Sequence, residues 1–357
     1  MPTMASNVSS TPPFDSDAAI SARVVRTRRG PRARVDPALP VAVWDEMEIQ
    51  SPGVTVPTRV VILAGAECRF TCVMCDLWRH TLAEPTKPGR LPDQVRLALG
   101  RPWQDGTGGH VRADAAVAVH EPFRWIKLYN GSNFFDPRSV PSDDLPAIAD
   151  LLVGFDRVVV ENHPRLTDDV VPRFRDRCRP RLEVAMGLET VHEDVLARLN
   201  KKMTLDDFAA ACARLTSWDV DIRAFVLLGL PWVEPAEAVE WCGRAVGFAA
   251  AHGVRHVSIV PTRSGNGFLD ALAGHGRFTC PDATMLERAA ETLVDRAARS
   301  SYGAGDTLVT VDLWDFERLA GTCASCAASR RDRLTRMNLA QRVEPAVTVS
   351  CGCRFSC

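Results

Sequence analysis

The sequence predicts an α/β domain built on a parallel sheet, and three observations predict it. Short apolar, β-branched runs recur along the 357-residue chain. Longer stretches with helical spacing of apolar residues separate them. The runs are apolar on both faces, as parallel strands covered by helices must be. This order fits either a barrel or a doubly wound sheet. In both, ligands bind beyond the C-terminal ends of the strands.

Residues 1–22 are rich in Ser, Thr, Pro and Asp and read as a disordered lead, without the basic-then-apolar order of a secretory signal. Residues 23–34, "RVVRTRRGPRAR", hold six arginines and fit a solvated tail or an arm that contacts nucleic acid. Residues 1–40 are therefore expected as a disordered, basic segment. Residues 41–58 form an extended lead-in around Trp44, Glu46 and Glu48. Strand runs follow at 59–65, 124–130, 157–162, 181–189, 221–231 and 254–262, with a weaker seventh at 307–314. Between them, Leu205, Phe208, Cys212 and Leu215 share one helical face, with Thr204 as N-cap and Asp207 as its capping-box partner. Leu286, Ala290, Leu293 and Ala297 repeat such a stripe after Pro281. The expected organisation is a domain over residues 41–300 and a Cys-rich extension over 301–357.

With 46% apolar and 24% charged residues the chain can bury a large core. A net charge of −1 excludes a global polyanion-binding signature, so a nucleic-acid role needs a local basic patch. No run of about 18 apolar residues suggests a membrane span. Twelve cysteines without a secretory signal point to a reducing, cytoplasmic compartment, where clustered thiols bind metal or do chemistry.

The stretch "LAGAECRFTCVMCDLW" puts Cys68, Cys72 and Cys75 on one loop, directly after the first strand run. A closed structural zinc site wants four ligands, and so does a simple iron–sulfur carrier. Three thiolates leave one cluster iron without a protein ligand, which marks a reactive site. The alternative is zinc, completed by His80 or a distant cysteine.

In this context the motif resembles that of the radical S-adenosylmethionine superfamily. The resemblance covers roughly residues 55–300 and implies a partial (βα)6 TIM-like barrel. It implies a 4Fe-4S cluster on Cys68, Cys72 and Cys75, with S-adenosylmethionine on the fourth iron. One electron from a reducing donor then yields a 5′-deoxyadenosyl radical that abstracts hydrogen from substrate. Where the family often has Gly-Gly-Glu, this chain has Asn130, Gly131 and Ser132, without the acidic residue. Glu161 and Glu189 close strand runs where a carboxylate accepts bonds from ribose or the methionyl ammonium. Gly229, Pro231 and Met74 fall where the family approaches adenine.

"IKLYNGSNFFDP", "MGLETVHEDVLARLNKKMTLDDF", "RAFVLLGLP" and "PTRSGNG" are similar to the group containing the radical subunit of archaeosine synthase. More distantly they are similar to the elongator catalytic subunit. This implies a tRNA nucleobase of 7-deazaguanine type, or its side group, as substrate. A small metabolite or peptide is the alternative; a zinc-bearing nucleic-acid or interaction module is the alternative of another class. A partner subunit is left open. Asn133, Lys201, Lys202, Arg263, Asn266 and Asp312 are the substrate candidates.

Cys323, Cys326, Cys351 and Cys353 supply four soft ligands for a second site, zinc or an auxiliary iron–sulfur cluster, with free thiols or terminal disulfides as the remaining reading. Cys357 is a spare. Arg330, Arg331, Arg333 and Arg336 lie between those pairs and fit a phosphate-gripping element or a solvated helix face. Cys178, Cys212, Cys242 and Cys280 read as buried thiols.

Overall fold

A computed structural model describes residues 17–28, 30–100, 123–299, 307–348, 351 and 353. The first sixteen residues, Arg29 and Cys357 lie outside the described residues. One sheet holds eight strands in chain order: β1 (Ala42–Ser51), β2 (Val54–Ile62), β3 (Trp125–Tyr129), β4 (Arg157–Asn162), β5 (Arg181–Glu189), β6 (Asp221–Leu228), β7 (His256–Pro261) and β8 (Leu308–Val311). Strands β2 to β8 run parallel, and β1 joins β2 antiparallel. The β1–β2 turn is Pro52-Gly53, with φ +75° at the glycine, as a turn with Pro first and a left-handed second residue requires.

The helices follow the strands: α1 (Asp17–Thr27), α2 (Arg90–Leu99), α3 (Asp144–Leu151), α4 (Val170–Arg177), α5 (Glu193–Arg198), α6 (Leu205–Ser217), α7 (Ala238–Ala251), α8 (Phe268–Gly274), α9 (Ala283–Ala298) and α10 (Ala327–Ala340). The expected capping box at Thr204 and Asp207 starts α6, whose Phe208, Cys212 and Leu215 are buried. Asp282, rather than Pro281, caps α9, so the proline stands outside that helix.

Contacts between strands that are not neighbours show that the sheet curls into a barrel. Tyr129 on β3 meets Phe225 on β6 edge-on, at 6.4 Å between ring centres. Lys127 on β3 pairs with Glu46 on β1 at 2.7 Å and also with Glu48. Arg223 on β6 reaches Glu48 at 3.4 Å and Glu183 on β5 at 2.7 Å. The floor of the lumen is thus an ionic lattice. Burial acts against the Glu183 carboxylate, but Arg223 and Arg157 hold it below the usual carboxylate range. The His256 pKa is also lowered, chiefly by burial, so the imidazole stays neutral, bonded to Thr310 at 2.8 Å.

Between β1 and β8 the barrel has a seam. Helix α10 lies there and pairs the outer edge of β8 by side chains. Gln341 bonds the Val309 N–H at 2.9 Å and its C=O at 2.8 Å; Asn338 does the same for Val311, at 2.9 Å each. An exposed strand edge is thereby closed.

Three expectations change. The weaker seventh run forms β8, so the sheet continues past residue 300. Residues 17–27 are helical rather than disordered, because Val24 is buried with Val73, Leu199, Leu227 and Leu230 at the C-terminal end of the barrel. Arg330 and Arg333 are buried rather than solvated or free for phosphate: Arg330 binds Glu287 on α9 through two bonds of 2.8 and 3.1 Å, and Arg333 binds Glu291 at 2.7 Å. Of the four single cysteines, Cys178, Cys212 and Cys242 are buried and Cys280 is exposed.

Candidate active site

The loop after β2 carries Cys68, Cys72 and Cys75 across the C-terminal end of the barrel. They line a small hollow together with Arg28, Glu67, Phe70, Trp78 and Gly131. Away from this loop, Cys323, Cys326, Cys351 and Cys353 form a group that could hold a metal ion, with their sulfurs all within 4.8 Å of one another.

Five neighbouring segments hold the loop. Arg69 forms a two-bond clamp with the buried Asp136, at 2.7 and 2.5 Å. Asn133 donates to the Cys68 sulfur at 3.2 Å. Beyond α5, Asn200 donates to the Thr71 carbonyl at 2.7 Å, and the Val73 N–H donates to Leu199 at 3.0 Å. From the β7 end, Asn266 donates to the Val73 carbonyl at 2.7 Å. From the N-terminal arm, Arg28 pairs with Glu67 at 2.7 Å, and Arg32 reaches Glu67 and the Trp78 carbonyl. Below the loop, Phe70 stacks on His163 at 3.8 Å. The Arg165 N–H donates to His163 Nδ1, so Nε2 carries the proton and donates to the Lys201 carbonyl at 2.8 Å. Burial pushes His163 down to about 3, and it stays neutral.

At the end of β5, Glu189 and Lys201 form a buried pair 2.6 Å apart. A Cβ on Gly187 would sit 2.1 Å from Glu189 Oε1 and 2.3 Å from Lys201 Nζ, so a side chain there would displace the ends of one or both groups. Glu189, Asn200, Lys202 and Trp232 all hold positive φ of 56–63°. Such backbone strain gathers at functional sites. Burial opposes the Lys201 ammonium, yet Glu189 and the Cys72 thiol raise its pKa overall. Burial likewise pushes the Cys72 thiol up to about 12, against the pull of Lys201.

The other residues singled out in the sequence divide clearly. Glu161 accepts the Asn130 N–H at 2.6 Å and so shapes the loop after β3. The Asn130 side chain is spent on Ser139 and the Ser132 N–H, each at 3.0 Å. Ser132 Oγ, in contrast, is buried with no partner in the protein, as is Asn200 Oδ1. Met74 packs with Ile20 and Val24 of α1. Gly229 has φ +76° and faces Pro281, where a Cβ would come within 2.3 Å of the ring; Pro231 beside it is buried. Asn133 meets a cysteine sulfur, and Asn266 spends its oxygen on the Leu269 N–H at 2.8 Å, so both brace rather than face the lumen. Arg263 pairs with Asp312 at 2.9 Å and reaches the Trp314 carbonyl at 2.6 Å, across the ends of β7 and β8. The Lys202 carbonyl accepts Arg165 at 3.0 Å. Sequence reasoning missed Arg69, Asp136, His163 and Gly187; the close spacing of Arg69 to Cys68 was the available signal for the first.

No protein-family model matches the chain, and no curated protein matches it in sequence. Its fold is similar to that of several solved structures. Methylornithine synthase aligns over 92% of this chain and 76% of its own, at 10% identity and a TM-score of 0.49. The archaeal Methanocaldococcus infernus Elp3 aligns over 62% of this chain and 56% of its own, at 10% identity and a TM-score of 0.44. The radical S-adenosylmethionine methyltransferase TsrM from Kitasatospora setae aligns over 56% of this chain and 35% of its own, at 15% identity and a TM-score of 0.37. At these scores the likeness carries no functional weight; the residues at the rim do. No helix among the described residues is long and apolar enough to cross a membrane.

Proposed function

We propose that this chain is a radical S-adenosylmethionine enzyme with a 4Fe-4S cluster on Cys68, Cys72 and Cys75. One observation carries the reading. Three thiols on one loop are fixed over the mouth of a parallel barrel by five surrounding segments. When bound, such a cluster supplies the electron that cleaves S-adenosylmethionine to a 5′-deoxyadenosyl radical, which takes hydrogen from substrate.

The chain's own residues do the positioning. The Asn133 amide stabilises charge on the Cys68 sulfur. Ser132 Oγ and Asn200 Oδ1, buried and unpartnered, are polar atoms that a ligand at the rim can satisfy. Glu189, fixed by Lys201, presents a carboxylate edge at the end of β5. Helix α1 brings Ile20 and Val24 into one apolar cluster with Val73, Met74 and Leu227 beside the mouth. The test is spectroscopic. Reconstituted protein, reduced anaerobically, should show a paramagnetic iron–sulfur signal that changes when S-adenosylmethionine is added. A signal indifferent to S-adenosylmethionine refutes the reading.

For the substrate, we infer a planar nucleobase carried on RNA. Trp44 of β1 and Trp314 beyond β8 meet at 5.6 Å at the barrel seam, a surface on which a base can stack. Arg23, Arg26 and Arg34 are exposed on the arm beside the mouth, where a phosphate backbone would run. Fed RNA and small metabolites in turn, the enzyme should transfer substrate deuterium into 5′-deoxyadenosine with RNA. Transfer from a small metabolite alone would sink the RNA assignment.

A further inference from the structure

The second cysteine group lies far along the chain from the loop of Cys68, Cys72 and Cys75. Its four sulfurs all lie within 4.8 Å of one another, and Cys323 Sγ is 3.8 Å from Cys326 Sγ. Four thiolates at about 2.3 Å from one tetrahedral ion stand about 3.8 Å apart. Thiolates on different irons of a cubane are separated by the cluster core as well as by their own bonds. We propose that Cys323, Cys326, Cys351 and Cys353 hold one tetrahedral zinc ion, and not an iron–sulfur cluster.

The surroundings fit a closed structural site. Cys323 and Cys326 lie on a tight turn, in which the Cys326 and Ala327 N–H groups donate to the Cys323 carbonyl at 3.1 and 2.9 Å. That turn opens directly into α10. Cys351 and Cys353 come from the chain beyond α10, so the ion ties that segment to the start of the same helix. Four thiolates on a divalent ion leave a net negative charge. The fully buried Arg330 stands beside it, 3.9 Å from the Cys326 sulfur, and is held by Glu287 and the Gly321 carbonyl. All four protein ligands fill the coordination sphere, so the ion has no open position for substrate. Its role is to fix α10, whose Asn338 and Gln341 close the edge of β8.

The experiment uses the full-length chain with Cys68, Cys72 and Cys75 changed to Ala, which leaves only the second site. Metal and acid-labile sulfide are counted in protein purified anaerobically. One zinc per chain, no iron and no sulfide is the expected result. Growth with cobalt in place of zinc should then give the visible absorption of a tetrahedral cobalt thiolate. A further Cys351→Ser change should weaken or shift that absorption. Iron in this variant, with or without sulfide, overturns the proposal. So does protein that binds no metal and whose four thiols all react at once with a thiol reagent.

Discussion

Gly187→Ala tests whether the Glu189–Lys201 pair must sit where it does. The added methyl carbon would lie 2.1 Å from Glu189 Oε1 and 2.3 Å from Lys201 Nζ. Relief requires about 1 Å of movement in one or both groups, since unbonded heavy atoms settle near 3.5 Å. Glu189 already holds φ +63°, and the strand bulges between Gly187 and Glu189, so the backbone has little room to yield. A displacement of that size in a positioning group costs about a hundredfold in rate. Overpacking costs about 1–3 kcal/mol of stability. With unfolding entropy of about 2.1 cal/mol/K per residue, that is a fall of roughly 1–4 °C in Tm for a chain of this length. The assay is the rate of 5′-deoxyadenosine formation beside iron content and a melting curve. Iron should match the parent while the rate falls. A variant that turns over at the parental rate refutes the positioning role.

Arg223→Met leaves Glu183 and Glu48 short of a buried partner and should cost about 3–5 kcal/mol, or roughly 4–7 °C in Tm; an unchanged Tm would contradict the lattice. Because Glu183 is held below its unfolded pKa, its contribution is present above about pH 4.5 and fades as pH falls, so the parent should lose stability in acid more steeply than a Glu183→Gln variant. Asn133→Ala removes a donor from the Cys68 sulfur and should make the cluster potential more negative, by about 43 mV for each kcal/mol of preference for the reduced form; redox titration followed by paramagnetic resonance checks it, with iron content unchanged. Charge reversal at Arg23, Arg26 and Arg34 should weaken RNA binding and flatten its salt dependence by a slope of up to about 2; equal affinity and slope would remove the arm from the interface.

Much of the barrel was legible because buried parallel strands announce themselves. All seven parallel strands coincide with apolar runs, including the weak one at Leu308–Val311. Strand β1 was not, since its polar residues Glu46 and Glu48 face a lumen filled with charge, and polar strands look like loops. The turn Pro52-Gly53 was the available signal. Helix α1 was hidden by a composition typical of disorder, and its apolar contacts are made far along the chain. Arg330 and Arg333 read as solvated because arginine usually is; their partners Glu287 and Glu291, four residues apart on α9, become visible only once the helices pack.

At the site, the three thiols stood out by spacing alone. Asn133 and Asn266 were noticed as polar residues at strand ends, but their brace role depends on where the cysteine loop folds back. Gly187 carried no sequence signal, because its need arises from two side chains that lie over it.

The most direct test of the account is 5′-deoxyadenosine itself. Anaerobically reconstituted protein is mixed with S-adenosylmethionine and a strong reductant, beside the variant with Cys68, Cys72 and Cys75 changed to Ala. The account predicts 5′-deoxyadenosine from the parent alone. Equal amounts from both proteins, or none from a parent that carries a full complement of iron and sulfide, would contradict it.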